Sequence, residues 1–94
     1  MSALASADIA DRLARLDGWT QEGKTISKLY HFANYHETLA FVNASAWVSH
    51  RTDHHPDLEV GYNRCRVSYS THDAGGLTNE DFDCAARLDA LFAL

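Results

Sequence analysis

The chain has 94 residues, 46% of them hydrophobic and 22% charged, which is typical of one folded domain spanning 1–94. Its formal net charge is -5 and its basic residues are scattered, whereas binding to a nucleic-acid backbone needs clustered cations. No apolar run approaches the roughly 20 residues that cross a bilayer, and the first residues lack the basic start of a signal peptide. We therefore expect a cytoplasmic protein that binds neither nucleic acid nor a membrane.

The first third of the chain predicts a helix followed by a hairpin. The helix spans 6–16 with Ser6 as its N-cap. Its apolar residues recur at helical spacing: Ile9, Leu13 and Leu16. Two strands follow at 19–22 and 25–32, and Gly23 suits the tight turn between them.

The middle of the chain predicts a long helix at 34–52. Asn34 and Glu37 have the spacing of a capping box. The helix must end near Asp53, because Pro56 disfavours helical geometry in the residue before it. The face predicted to point at the core consists of Leu39, Val42, Ala46 and Ser49, with Phe41 and Val48 alongside.

The last part of the chain predicts a second hairpin and a helix. The strands are 58–62 and 64–71, and a loop with two glycines follows at 72–77. Thr78 begins the final helix, with Asp81 at the capping-box position. The apolar stripe of that helix is Phe82, Ala85, Leu88 and Leu91.

The resulting order is helix, strand, strand, helix, strand, strand, helix. Two hairpins separated by a helix predict an α+β fold, a four-stranded antiparallel sheet with three helices on one face. The opposite face or an edge of the sheet is left uncovered, and the core is small. We therefore expect a homodimer or a homotetramer.

The histidines are concentrated near the predicted ends of helices and strands. Four of the six lie there: His50, His54, His55 and His72. Carboxylates lie close to them in sequence: Asp53, Asp57 and Asp73. A histidine exchanges protons near neutral pH, so two or three around one pocket can serve as both acid and base for one substrate. The remaining His31 and His36 are interpreted as ordinary strand or surface residues.

Two segments carry a resemblance to a known family. Residues 50–56 read H-R-T-D-H-H-P and residues 70–78 read S-T-H-D-A-G-G-L-T. They resemble the pterin-4a-carbinolamine dehydratases, whose signature has an acidic residue, three others, His-His-Pro, a tyrosine, a further histidine and an aspartate that opens the last helix. In this chain those places are held by His50, His54, His55, Pro56, Tyr62, His72 and Asp81. The Gly18-Trp19 pair is also similar, and the likeness covers about 13–89.

The resemblance implies an enzyme that dehydrates 4a-hydroxytetrahydropterin to quinonoid dihydropterin during tetrahydropterin recycling. It implies histidine acid/base catalysis with no metal and no cofactor, and a small-molecule pterin as the binding partner. The implied catalytic residues are His54, His55 and His72, and which of them acts as the acid stays open. The implied substrate-binding residues are Asp53, Pro56, Ser70, Thr71 and Asp73. Supporting roles fall to His50 and Asp81.

Two positions depart from the family pattern. His50 stands where the family commonly has an acidic residue, and a second histidine would not favour a charged His54 as a carboxylate would. Leu58 stands where the family usually has an aromatic residue, which puts a ring-stacking contact there in doubt.

Two other functions are compatible with these residues. Members of such a family can act as non-catalytic dimerisation or assembly partners, and a fold alone does not decide between the roles. A zinc site is the other alternative, with a helical i, i+4 pair among its ligands: His50, His54, His55 and His72. However, adjacent histidines are expected to point in divergent directions, and no familiar zinc-ligand spacing occurs.

Overall fold

The computed structural model describes residues 2–94, and it contains the predicted four-stranded antiparallel sheet with three helices on one face. The helices are α1 (Ser6–Ala14), α2 (Tyr35–Thr52) and α3 (Asn79–Phe92), and the strands are β1 (Thr20–Glu22), β2 (Thr25–His31), β3 (Asp57–Val60) and β4 (Arg64–Tyr69). The strands lie in the order β1-β2-β4-β3, so the two hairpins meet at the β2–β4 pair. None of the helices described is long and apolar enough to cross a membrane.

The first hairpin forms at the predicted glycine. Gly23 has a φ of 59°, a left-handed conformation that glycine adopts without steric cost. The turn aligns Glu22 with Thr25 across the antiparallel pair. This alignment sets the register that places Ile26 of β2 in the core.

The second hairpin is shorter than the predicted strands 58–62 and 64–71. Its strands end at Val60 and Tyr69. Ser70 and Thr71 therefore lie beyond the end of β4 rather than in it, at the edge of the sheet where α3 begins. These polar side chains are available to a site at that edge.

The core lies between the sheet and α3. In β4, buried residues alternate with the exposed Arg64 and Arg66, as the sequence pattern predicts. The buried side chains are Ile26, Tyr30, Cys65, Val67 and Tyr69 from the sheet, and Phe82, Ala85 and Leu88 from α3. Cys65 and Cys84 are free thiols in this core, and burial raises the pKa of both.

A polar contact fixes the last half of α3 on the sheet. Asp89 accepts hydrogen bonds from the Nε1 atom of Trp19 at 3.0 Å and from the Nζ atom of Lys28 at 2.9 Å. The hydroxyl of Tyr30 donates to the same carboxylate. These donors come from β2 and from the residue before β1, so α3 is held in place independently of its first turn.

Helix α1 departs from the predicted start and end. It ends at Ala14 rather than at 16, and its N-cap is Ala5, so the prediction of Ser6 as the cap is wrong. The N–H of Leu4 donates to the carbonyl of Leu77 at 2.8 Å. This bond holds the preceding chain extended, so the helix begins directly after Ala5.

Helix α2 buries a face that only partly matches the predicted one, since Phe41 and Ser49 were predicted and Thr38 and Ser45 were not. Its buried residues are Thr38, Phe41, Ser45 and Ser49, whereas Ala46 is exposed. The hydroxyls of Thr38 and Ser45 donate to carbonyls of the preceding turn at 2.9 and 2.7 Å. Small polar residues can therefore pack inward without an unpaired polar atom. The cap is as predicted, since Asn34 accepts from the N–H of Glu37 at 2.9 Å.

Candidate active site

The first element of the site is the turn that ends α2. Asp53 has φ 50° and ψ 41°, the left-handed region that is uncommon for a residue other than glycine, although aspartate tolerates it. The N–H groups of Asp53 and His54 both donate to the carbonyl of Ser49. Because Pro56 follows, the chain cannot resume the helix. His54 therefore lies outside α2, and its ring is turned towards α3.

The ring of His54 is held on three sides. Its Nε2 atom lies 2.6 Å from an oxygen of Asp81, and its face stacks on Tyr69 with the centroids 5.7 Å apart at 11°. The Oε2 atom of Glu80 lies 3.5 Å from its Nδ1 atom. The His54 side chain is only 11% exposed. The orientation of the imidazole is thus fixed before any ligand binds.

Asp81 joins the start of α3 to the histidine. It is fully buried, and its second oxygen accepts from the hydroxyl of Thr71 at 2.7 Å and the N–H of Thr78 at 2.9 Å. The bond to Thr78 is the predicted capping box. The sequence predicts only an indirect part in the site for Asp81, yet it contacts His54 directly. A buried carboxylate with three partners is well compensated for its lost hydration.

Tyr69 forms the floor beneath His54. Burial raises the pKa of its phenol, so the hydroxyl stays neutral. That hydroxyl has no hydrogen-bond partner among residues 2–94. The ring of Tyr69 therefore contributes an apolar stacking surface to the site and no charge.

The opposite wall is formed by the chain after β4. His72 begins a short 3₁₀ turn, His72–Ala74, which closes at Gly75 with a φ of 73°. The hydroxyl of Ser70 lies 3.3 Å from the Nε2 atom of His72. His72 and Asp73 are both exposed, so this wall is open to solvent while His54 is enclosed.

The two walls enclose one open cleft of about 310 Å³. It is lined by Asp53, His54, His55, Ser70, Thr71, His72, Asp73 and Glu80. The three histidines expected to act together therefore share one cavity. Two clefts of about 340 and 450 Å³ lie elsewhere, partly lined by Glu59 and Arg66. Neither is lined by a histidine, so the histidine cleft is the candidate site.

Other predicted site residues fall outside the cleft. Pro56 and His50 are not among its lining residues. His50 is exposed, with its ring 6.1 Å from that of Trp47. The sequence predicts His50 and His54 as helical neighbours, but α2 ends between them, so this prediction is wrong. Conversely, Glu80 was not predicted, and its only sequence signal is its place beside Asp81.

The zinc alternative finds no support in the geometry. Within residues 2–94, no group of three or more histidine, cysteine or acidic side chains is arranged to hold a metal ion. What the cleft does contain is three imidazole side chains, those of His54, His55 and His72. Because Asp81 occupies the Nε2 atom of His54, the Nδ1 atom is the one left to face a ligand.

Residues 2–91 match the family model described as pterin 4 alpha carbinolamine dehydratase. The chain belongs to this family. A relative from Nitrosospira multiformis is 54% identical over 94 residues, which is 100% of this chain and 83% of that protein. That relative carries a provisional name as a pterin-4-alpha-carbinolamine dehydratase.

Two solved structures from proteins of related fold resemble this pterin dehydratase family member. The transcriptional coactivator/pterin dehydratase from Brucella melitensis is similar with a TM-score of 0.92 and 27% identity, over 96% of this chain and 98% of that one. A pterin dehydratase-like protein identified as a RuBisCO assembly factor in the alpha-carboxysome is similar with a TM-score of 0.64 and 27% identity, over 78% and 84% of the two chains. The fold is therefore shared with a protein named as a transcriptional coactivator/pterin dehydratase and with one identified as a RuBisCO assembly factor.

Proposed function

We propose that this protein dehydrates a 4a-hydroxytetrahydropterin to the quinonoid dihydropterin, a step in tetrahydropterin recycling. One observation carries the proposal: His54, His55 and His72 line one cleft, and buried Asp81 orients the first of them at 2.6 Å. Family membership supports the same substrate class, since the matching family model is that of a pterin dehydratase.

The proposed reaction is an elimination across the C4a and N5 atoms of the pterin. An acid protonates the hydroxyl on C4a, and the C4a–O bond breaks to release water. A base removes the proton from N5, and that electron pair forms the double bond between N5 and C4a. Acid and base must both stand within hydrogen-bond distance of the substrate. His54, His55 and His72 are the side chains of the cleft that exchange protons near neutral pH.

Pterin binding is assigned to the polar rim of the cleft. Asp53, Ser70, Thr71 and Asp73 line it and offer hydrogen-bonding groups to the edge of a pterin ring. A volume of about 310 Å³ lies within the range of small-molecule sites. Pro56 is outside the lining, and its proposed contribution is to hold the residue before it in extended geometry.

The experiment that tests this function is the dehydration of a freshly generated synthetic carbinolamine, followed by absorbance. We expect the wild-type protein to accelerate the reaction well above the uncatalysed rate between about pH 6 and pH 9, where histidine can act as both acid and base. A wild-type rate equal to the buffer rate over this range would overturn the proposal.

The second candidate is a non-catalytic assembly partner. The observation that favours it is the likeness, at a TM-score of 0.64, to a pterin dehydratase-like protein identified as a RuBisCO assembly factor. The dehydration assay separates the two candidates, because an assembly partner does not need turnover.

We propose further that the protein forms a homodimer or homotetramer. Strand β3 is an edge of the sheet, and large apolar side chains are exposed near it and on α2: Val60 at 45%, Tyr62 at 64% and Trp47 at 64%. Exposed edges and apolar residues favour association. Light scattering at micromolar concentration should report at least a dimer, and a monomer would contradict the proposal. We place this assembly in the cytoplasm, where free thiols such as Cys65 and Cys84 persist.

A further inference from the structure

Two carboxylates from the first turn of α3 face the two ring nitrogens of His54. The Oδ1 atom of Asp81 lies 2.6 Å from Nε2, and the Oε2 atom of Glu80 lies 3.5 Å from Nδ1. A neutral imidazole has one N–H group, whereas an imidazolium has two. Only the protonated ring can therefore present a proton to both carboxylates.

Glu80 supplies a carboxylate near His54, although residue 50 departs from the acidic residue of the family pattern. The resemblance noted in the sequence implies an acidic residue four positions before the first histidine, and this chain has His50 there. In the structure His50 is exposed and outside the cleft. Glu80, by contrast, lines the cleft and faces the same histidine from α3. The carboxylate is thus present, but it comes from a different element of the fold.

We propose that Glu80 is a positioning residue that holds the Nδ1 side of the His54 ring for proton donation, so that His54 is the acid of the dehydration. The inference rests on the proposed function. In this role the Nδ1 proton of His54 passes to the hydroxyl on C4a, which leaves as water when the C4a–O bond breaks. A second histidine of the cleft takes the N5 proton, and the electron pair of that bond forms the N5–C4a double bond. Asp81 holds the Nε2 proton throughout.

The other groups around His54 do not pair with its ring nitrogens as the two carboxylates do. Tyr69 packs on its face as a neutral phenol, since burial raises the pKa of that hydroxyl. The charged or titratable groups that share the cleft are Asp53, His55, His72 and Asp73. None of these four residues forms an ion pair with the His54 ring. Within residues 2–94, its ion-pair contacts come from Glu80 and Asp81 alone.

Solvent screening sets the size of the expected effect. The Glu80 side chain is 41% exposed, whereas that of Asp81 is buried. A half-exposed carboxylate stabilises a neighbouring cation less than a buried one does. Removing the charge of Glu80 should therefore weaken the acid without abolishing it, by about 3- to 10-fold in kcat at pH 8, below the full contribution of a positioned acid.

The test compares Glu80→Gln, Glu80→Asp and a matched control, Glu22→Gln, across pH. Glu22 is an exposed residue of β1, so the control changes the net charge equally, away from the histidine cleft. For Glu80→Gln we expect kcat to fall with KM unchanged, and the alkaline limb of the kcat profile to move to lower pH. Glu80→Asp should recover part of the loss, and Glu22→Gln should behave as wild type.

A second measurement separates this inference from the proposed function. NMR titration of the histidine rings in the free protein reports the protonation of His54 without any turnover. Glu80→Gln should move the His54 titration to lower pH, while Glu22→Gln leaves it in place. An unmoved titration with an unchanged kcat profile would overturn the role of Glu80, as would a raised KM with kcat intact. An inactive wild-type protein would overturn the dehydratase function instead.

Discussion

Replacing Asp81 with asparagine separates two roles of one carboxylate, the capping of α3 and the orientation of His54. One oxygen binds the Thr71 hydroxyl at 2.7 Å and the Thr78 N–H at 2.9 Å, and the other lies 2.6 Å from Nε2 of the histidine. The side-chain oxygen of the asparagine can still accept the hydrogen bonds from Thr71 and Thr78. Its amide nitrogen, which only donates, then faces His54. An N–H that faces Nε2 needs a lone pair there, so the His54 ring loses the Nε2 proton that Asp81 holds and cannot be doubly protonated.

The expected losses follow from these contacts. A hydrogen bond to a charged acceptor stabilises by about 1.5–3 kcal/mol and a neutral one by about 1 kcal/mol. The Thr71 hydroxyl and the Thr78 N–H would form weaker hydrogen bonds with the neutral amide oxygen than with the carboxylate. Burying a neutral amide costs less than burying a carboxylate, which offsets part of this loss. We therefore expect Asp81→Asn to destabilise the fold by about 1–2 kcal/mol. In a chain of this length that lowers Tm by about 5–10 °C. A neutral imidazole is a much weaker acid than an imidazolium, so kcat should fall by about 10²–10⁴-fold.

Thermal unfolding by circular dichroism and steady-state dehydration at 25 °C measure the two effects on the same variant. Asn34→Ala is the matched control, because it removes the cap of α2, at about 1 kcal/mol, from a residue outside the cleft. It should lose stability and keep the wild-type kcat. If Asp81→Asn behaved in the same way, Asp81 would be a helix cap only, and the argument about His54 would be refuted.

Three other outcomes are expected. Tyr69→Phe should raise the free energy of unfolding in urea by about 1 kcal/mol and keep turnover, because it removes a buried hydroxyl without a partner among residues 2–94; a large destabilisation would contradict this. The unfolding free energy should fall from about pH 9 to 11, because burial raises the pKa of Tyr30, Tyr69, Cys65 and Cys84, while the unfolded chain ionises at ordinary values; a flat profile would count against it. His50→Ala should change kcat less than about twofold, since its exposed ring lies outside the cleft, and a loss of tenfold or more would show a supporting role.

The fold was largely predictable because its strands alternate clearly and its turns carry suitable residues. Cys65 and Val67 are buried while Arg66 between them is exposed, and this period of two is visible in the sequence. The inward face of α2 was only partly predictable. Thr38 and Ser45 are polar by composition, and only their hydrogen bonds to backbone carbonyls make them suitable for burial.

The site was predictable to the extent that a local motif defines it. The spacing of the histidines predicts that His54, His55 and His72 belong to the site, but it cannot predict contacts between elements that are distant in sequence. The bond from His54 to Asp81 and the approach of Glu80 depend on how α3 rotates about its own axis above β4. That rotation is set by packing and by the capping box together, so it emerges only from the folded chain.

The measurement that tests the histidine chemistry most directly is kcat for His54→Ala, His55→Ala and His72→Ala, with His36→Ala as the control. His36 is an exposed histidine in the first turn of α2, outside the cleft. Each of the three cleft variants should lose about 10²–10⁴-fold, the contribution of a positioned acid or base, and should keep a folded circular dichroism spectrum. The control should match the wild type. If all three cleft variants turned over carbinolamine at the wild-type rate, the histidine mechanism would be wrong.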